Sequence, residues 1–208
     1  GGLWDRYPVE QVATPEGYQR DPALVINFYN ERRKQLLKVK PNRGHELLAE
    51  LEKNFHVTVV TQNIDNLHER AGSSHIIHLH GELTKVCSSR DPHNPHYIKE
   101  LKPEEYEVKM GDKAGDGTQL RPFIVWFGEA VPEIETAIQY VEKADIFVII
   151  GTSLNVYPAA GLLHYVPRGA EVYLIDPKPV DTHTSRSIHV IQKGASEGVA
   201  ELKQLLGV

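Results

Sequence analysis

Three short stretches hold side chains that could do chemistry. His78-Leu79-His80-Gly81 puts two imidazoles on one face of an extended segment, with Leu79 pointing away. A histidine at a strand end beside glycine suits a general base. The alternative is a solvated loop histidine, in a chain that has 11 of them. A zinc cluster of His75, His78 and His80 is a further alternative, although no acidic or thiol ligand lies beside them. Thr61-Gln62-Asn63-Ile64-Asp65 offers two amides and a carboxylate where a β-branched run ends. Ligands bind at that edge of open α/β sheets, but Asn63 or Asp65 would equally well cap the next helix. Gly151-Thr152-Ser153 places small residues and two hydroxyls after the most apolar run, as a ribose or phosphate would require. Asp176 ends the following run, where a carboxylate can hold ribose hydroxyls. There is no GxGxxG and no P-loop.

The elements that must position these groups alternate from about residue 41. Helical spacing covers 41–54, and Val57-Thr58-Val59-Val60-Thr61 reads as a buried strand. Helix 65–70 and strand 75–79 follow. After a break come strand 123–126, helix 134–143, strand 146–150, helix 158–165, strand 171–175, strand 188–191 and helix 197–206. Continuous apolar strands separated by helices predict a doubly wound, Rossmann-like parallel sheet of the α/β class. Residues 85–120 break the rhythm with prolines 92, 95 and 103 and glycines 111, 115 and 117, and read as a small insert lobe. The glycines there follow no strand and read as turns. Ahead of the sheet, Asp21-Pro22 opens a helix running to Leu37. Val25, Phe28, Tyr29, Arg32 and Leu36 share one stripe of it, with an arginine among apolar residues. The plain reading of Arg32 is a side chain that snorkels to water.

Composition narrows the classes. The chain has 208 residues, with 23 Lys and Arg against 28 Asp and Glu, a net charge of −5 that gives no reason to expect nucleic acid. Apolar residues at 40 % support a packed core. The single cysteine, Cys87, excludes an intrachain disulfide and a cysteine-only metal site. Residues 1–20 contain no signal-like apolar run, and 146–150 is too short to span a bilayer, so a cytoplasmic protein without membrane contact is expected. With no long amphipathic interface stripe, a monomer is expected.

Taken together, the pieces resemble a sirtuin, an NAD-dependent protein lysine deacylase. The matching stretches run in the family's order: Gly2-Leu3-Trp4, Val12-Ala13-Thr14-Pro15, Thr61 through His68, His80-Gly81-Glu82-Leu83, Arg121-Pro122, Val125 through Glu129, Gly151-Thr152-Ser153 and Val156 through Ala160. They are most similar to the bacterial branch that includes the class III desuccinylases. The resemblance implies His80 as the base acting on NAD ribose hydroxyls. It puts Asn63 and Asp65 at the nicotinamide, Gln62 at the ribose, and Gly151, Thr152 and Ser153 at the adenosine side, with Asp176 where the family commonly has Asn. Val125 to Gly128 would pair with the substrate peptide as an added strand, and Phe127 and Tyr157 would wall the acyl-lysine channel. Tyr29 and Arg32, at i and i+3, match the pair that meets succinyl and malonyl groups, with Ala13 widening the pocket. A hydrogen bond to a charged group is worth about 1.5–3 kcal/mol, roughly 10- to 150-fold in preference for an acidic acyl tail. The family reaction releases nicotinamide and yields free lysine and O-acyl-ADP-ribose, from acetyl-lysine as well.

The resemblance also sets the domain plan: residues 1–84 and 121–208 form the NAD-binding domain, 14–40 the helical acyl-pocket segment and 85–120 the lobe. Family members hold a structural zinc in that lobe with two cysteine pairs. Here only Cys87 remains, with His93 and His96 as partial company, so no zinc is expected and the lobe is held by its own packing. The family's first strand, its Gly-Ala-Gly-Ile-Ser loop and a Phe-Arg segment are expected ahead of Gly1. Without them NAD binding would be weak, and the alternative function is a non-catalytic acyl-lysine or ADP-ribose binding module.

Overall fold

The structure is a computed structural model that describes residues 6–152 and 154–208. It separates into two compact units, and each follows its own packing logic.

The first unit takes residues up to 39 with 63–66 and 80–131. Three helices open it: α1 (Val9–Val12), α2 (Pro15–Arg20) and α3 (Pro22–Leu36). Each start has a local cause. Thr14 Oγ1 accepts from the Gly17 amide at 2.9 Å and Pro15 is the first helical residue. Asp21 Oδ1 accepts from the Leu24 amide at 3.2 Å and Pro22 follows it. An antiparallel sheet of order β4-β3-β5 completes the unit, with β3 Gly81–Ser88, β4 Lys99–Glu100 and β5 Leu120–Ile124. Ile26, Val86 and Val108 form a core between α3 and the sheet.

α3 is buried on more than one stripe: Val25, Ile26, Phe28, Tyr29, Asn30, Arg33 and Leu36 are all inside. Arg33, at 3 % exposure, is the deepest arginine of the helix. It donates to the Tyr106 carbonyl at 2.8 Å and to Asn30 Oδ1 at 2.9 Å. Asn30 in turn pairs both backbone groups of Val108, donating to its carbonyl at 2.8 Å and accepting from its amide at 2.9 Å. Residues of the 85–120 stretch are therefore fastened to α3 rather than packed by themselves.

The second unit takes residues 40–62, 67–79 and 132–208. Its helices are α4 (Arg43–Glu50), α5 (Leu67–Ala71), α6 (Ile134–Val141) and α7 (Ala195–Leu205). α4 starts on a reciprocal cap, with Asn42 Oδ1 accepting from the His45 amide and His45 Nδ1 accepting from the Asn42 amide. The strands are all parallel: β1 (Val59–Thr61) with β2 (Ile76–His78), and β6 (Ile146–Ile150), β7 (Glu171–Ile175) and β8 (His189–Ile191) in that order. Leu47, Tyr173, Ile175, Ile191, Val199 and Leu202 form the core, so α4 and α7 cover one face.

Several expectations need correction. The parallel strands form two sheets among the described residues, not one. The strand expected at 123–126 is Leu120–Ile124, because Cys87 pairs with Arg121 and Ser88 with Leu120. The helix expected at 158–165 is a tighter 3-10 turn, Ala159–Tyr165. β3, the longest strand among the described residues, escaped the sequence reading because its buried positions do not alternate. No helix of the described residues is long and apolar enough to cross a membrane.

Candidate active site

In the first unit, His80 sits in the turn leading into β3, half-buried, and its carbonyl accepts from the Val125 amide at 2.9 Å. Gly81 follows with φ +88°, and a Cβ there would collide with the Phe123 carbonyl oxygen, so only glycine lets the two segments approach. Residues 63–66 join the same unit, with the Ile64 carbonyl accepting from the Leu83 amide at 2.8 Å. Asn63 is exposed and Asp65 half-buried. α5 begins at Leu67, just beyond this stretch.

Ala13 is buried at 5 %, and its carbonyl accepts from the Phe127 amide at 3.0 Å. Extended alternation then turns Val125 and Phe127 one way and Trp126 the other: Phe127 is 63 % exposed and Trp126 2 %. Tyr29 is fully buried, and burial pushes its phenol up to about 12, so it stays protonated and able to donate. Arg32 is half-buried. Burial lowers its guanidinium from the usual range, while Tyr29 and the Asp65 carboxylate push the other way. A guanidinium remains cationic under such a load. One unit thus gathers His80, Asn63, Asp65, Ala13, Tyr29, Arg32, Val125 and Phe127.

The second unit carries the other predicted residues at strand ends. Gln62 follows β1, Gly151 and Thr152 follow β6, and Asp176 follows β7. Gln62 Nε2 lies 3.5 Å from Thr152 Oγ1, which also accepts from the Leu154 amide at 3.2 Å. Gly151 has φ +64° and donates its amide to the Ile175 carbonyl at 3.0 Å. Asp176 Oδ1 accepts from the Lys178 amide at 2.8 Å, closing a turn. Tyr157 is 70 % exposed. Ser153 lies outside the described residues.

The paired histidines separate in role. His78 is buried in β2 with Nε2 2.7 Å from Glu69 Oε2, whereas His80 belongs to the turn beyond. His75 meets Thr58 Oγ1 at 2.9 Å and packs on Tyr140. Among the described residues, His75, His78 and His80 form no converging ligand group.

The zinc lobe's donor set does not fit a structural zinc. Cys87 is the one thiol, where a closed tetrahedral site needs four ligands, and burial pushes it up to about 12. Its Sγ faces the Pro122 carbonyl at 3.8 Å, while His93 and His96 are exposed. What ties this stretch together is polar. Asp116 accepts from Ser88 and Thr118, and those hydrogen bonds hold its carboxyl down at about 2.

Arg121 and Glu129 were assigned no role in the sequence, and Trp126 only a place in the peptide-pairing stretch 125–128. Arg121 is 4 % exposed, forks onto Glu129 with both contacts at 3.1 Å, and lies 3.9 Å over the Trp126 ring. The available signal was the arginine beside proline, eight residues ahead of a glutamate.

One unit is a parallel α/β fold with polar residues at its strand ends, the place where such sheets bind ligands; the other holds a turn histidine and a Tyr/Arg helix pair. The Sir2 family profile matches residues 1–158, and the chain belongs to that family. An NAD-dependent protein deacylase of Bacteroides thetaiotaomicron is 94 % identical over 206 residues, covering 99 % of this chain and 88 % of that protein. One of Helicobacter pylori is 47 % identical over 201 residues, covering 97 % and 85 %. The crystal structure of a Sir2 homologue in complex with NAD is 34 % identical, with a TM-score of 0.83 over 99 % of this chain and 80 % of that one.

Proposed function

We infer that this NAD-dependent protein deacylase takes lysines carrying succinyl or malonyl groups, and acetyl-lysine as well. With NAD and water consumed, the products are free lysine, nicotinamide and O-acyl-ADP-ribose. The observation that carries this reading is the Tyr29–Arg32 pair: a buried, protonated phenol and a cation one helical turn apart on α3. A neutral acyl group has no use for that cation, and an acyl carboxylate has.

NAD supplies the ribose carbon that accepts the acyl oxygen as nicotinamide leaves. His80 is the general base that takes a proton from a ribose hydroxyl, work for which an imidazole is suited near neutral pH. Asn63 and Asp65 bind the nicotinamide. Gln62 and Asp176 meet ribose hydroxyls, and Gly151, Thr152 and Ser153 hold the adenosine side. Val125 and Phe127 hold the peptide as an added strand, and Ala13, Phe127 and Tyr157 shape the acyl channel. The same reading takes 1–84 and 121–208 as the NAD-binding domain, 14–40 as the acyl-pocket segment and 85–120 as a small lobe without zinc.

Succinyl- and acetyl-lysine peptides incubated with and without NAD test it, with peptide mass and nicotinamide release followed. Mass loss that requires NAD is expected for both. Arg32→Met is expected to lower the succinyl-over-acetyl ratio of kcat/KM by about 10- to 150-fold. An equal fall in both rates overturns the acidic-acyl assignment, and binding without turnover supports the binding module instead.

A further inference from the structure

The buried Tyr29 hydroxyl has one hydrogen-bond partner among the described residues. The Trp126 indole Nε1–H points to its oxygen at 3.1 Å. An indole N–H can only donate. The phenol oxygen is therefore the acceptor in this bond, and its own hydrogen has to point elsewhere. Tyr29 and Trp126 are 1 % and 2 % exposed, so both rings are held in the core. A buried donor that lacks an acceptor calls for one, and an incoming carboxylate is the strongest acceptor available.

Trp126 is held from several sides. Its backbone amide donates to Glu129 Oε1 at 2.8 Å. Glu129 is gripped by the Arg121 fork, and Arg121 also donates to the Ile124 carbonyl at 2.8 Å and covers the indole face. Tyr18 lies against the same ring, with centroids 5.3 Å apart. This is more restraint than filling space requires. It holds the direction of one N–H.

We propose that Trp126 is a positioning residue for acyl selection: by donating to Tyr29 Oη it aims the phenol O–H at the acyl carboxylate that pairs with Arg32. The inference rests on the acidic-acyl reading above. It assigns selectivity to a residue that touches neither NAD nor the acyl group.

The test measures affinities of succinyl-lysine and acetyl-lysine peptides of one sequence by fluorescence anisotropy, which needs no turnover. Trp126→Phe keeps an aromatic face for Arg121 and removes the N–H. The succinyl-over-acetyl preference is expected to fall about 3- to 10-fold. Tyr29→Phe is expected to lower it at least as much. The double variant should lose no more than Tyr29→Phe alone, since the two groups act as one. A preference unchanged by Trp126→Phe but removed by Arg32→Met overturns the positioning role and leaves the acidic-acyl reading standing. Losses that multiply in the double variant assign Trp126 to packing and also overturn it. No preference in the unaltered chain, or one that survives Arg32→Met, overturns both. Should Trp126→Phe lose its cooperative thermal transition, benzothienylalanine at position 126, in a Trp4→Phe background, keeps the ring size and removes only the donor.

Discussion

Cys87 and Tyr29 are each pushed up to about 12 by burial, the thiol from 9.0 and the phenol from 10.0. In the window between those values the unfolded chain loses protons that the folded chain keeps. Stability therefore falls as pH rises from about 9 to 12, by roughly 1.4 kcal/mol per pH unit for each group in its window. Denaturant melts across that range should show the decline, and Cys87→Ala should remove the part that begins near pH 9. A decline unaltered in the variant counts against the buried thiol as its source. The chemistry at this scale was partly legible. Spacing put Tyr29 and Arg32 on one helix face and His80 beside Gly81, and the resemblance, not the spacing, gave them their expected roles. Trp126 was not legible, because its partner is 97 residues away in sequence and no local pattern encodes such a bond.

Between elements, α3 does two jobs. Its Tyr29 and Arg32 are the pair proposed to meet the acyl group, while Asn30 and Arg33 fasten the chain around Val108 and Tyr106. Asn30→Ala strands the Val108 amide and carbonyl in a buried place and removes a partner of Arg33. Destabilisation of about 2–4 kcal/mol is expected from urea melts; a change within noise indicates that these bonds are not the fastening. The start of α3 was readable, since Asp21-Pro22 carries its cap in the sequence; the Thr14 cap of α2 was not read. The core strands 57–61, 146–150 and 171–175 were readable as apolar runs. β3 was not, because its pairing with β5 includes a shift in register between Gly81 and Val86, which local alternation cannot express.

At the scale of the whole molecule, the stretch around Cys87 is tied by hydrogen bonds to α3 and within itself, and the proposed reading gives it no zinc. Dialysis against a chelator is expected to leave the melting temperature unchanged, and metal analysis to find zinc well below one per chain. Stoichiometric zinc overturns this. The amino-acid sequence by itself determined the family, the α/β class and the residues offered for catalysis, because strand-end motifs, caps and helical spacing are local. The tertiary structure decided what locality cannot: two parallel sheets rather than one, Arg33 rather than Arg32 as the deepest cation of α3, and the Arg121–Glu129–Trp126–Tyr29 chain. Those outcomes turn on desolvation and on directional bonds between distant segments, and both exist only once the chain has folded.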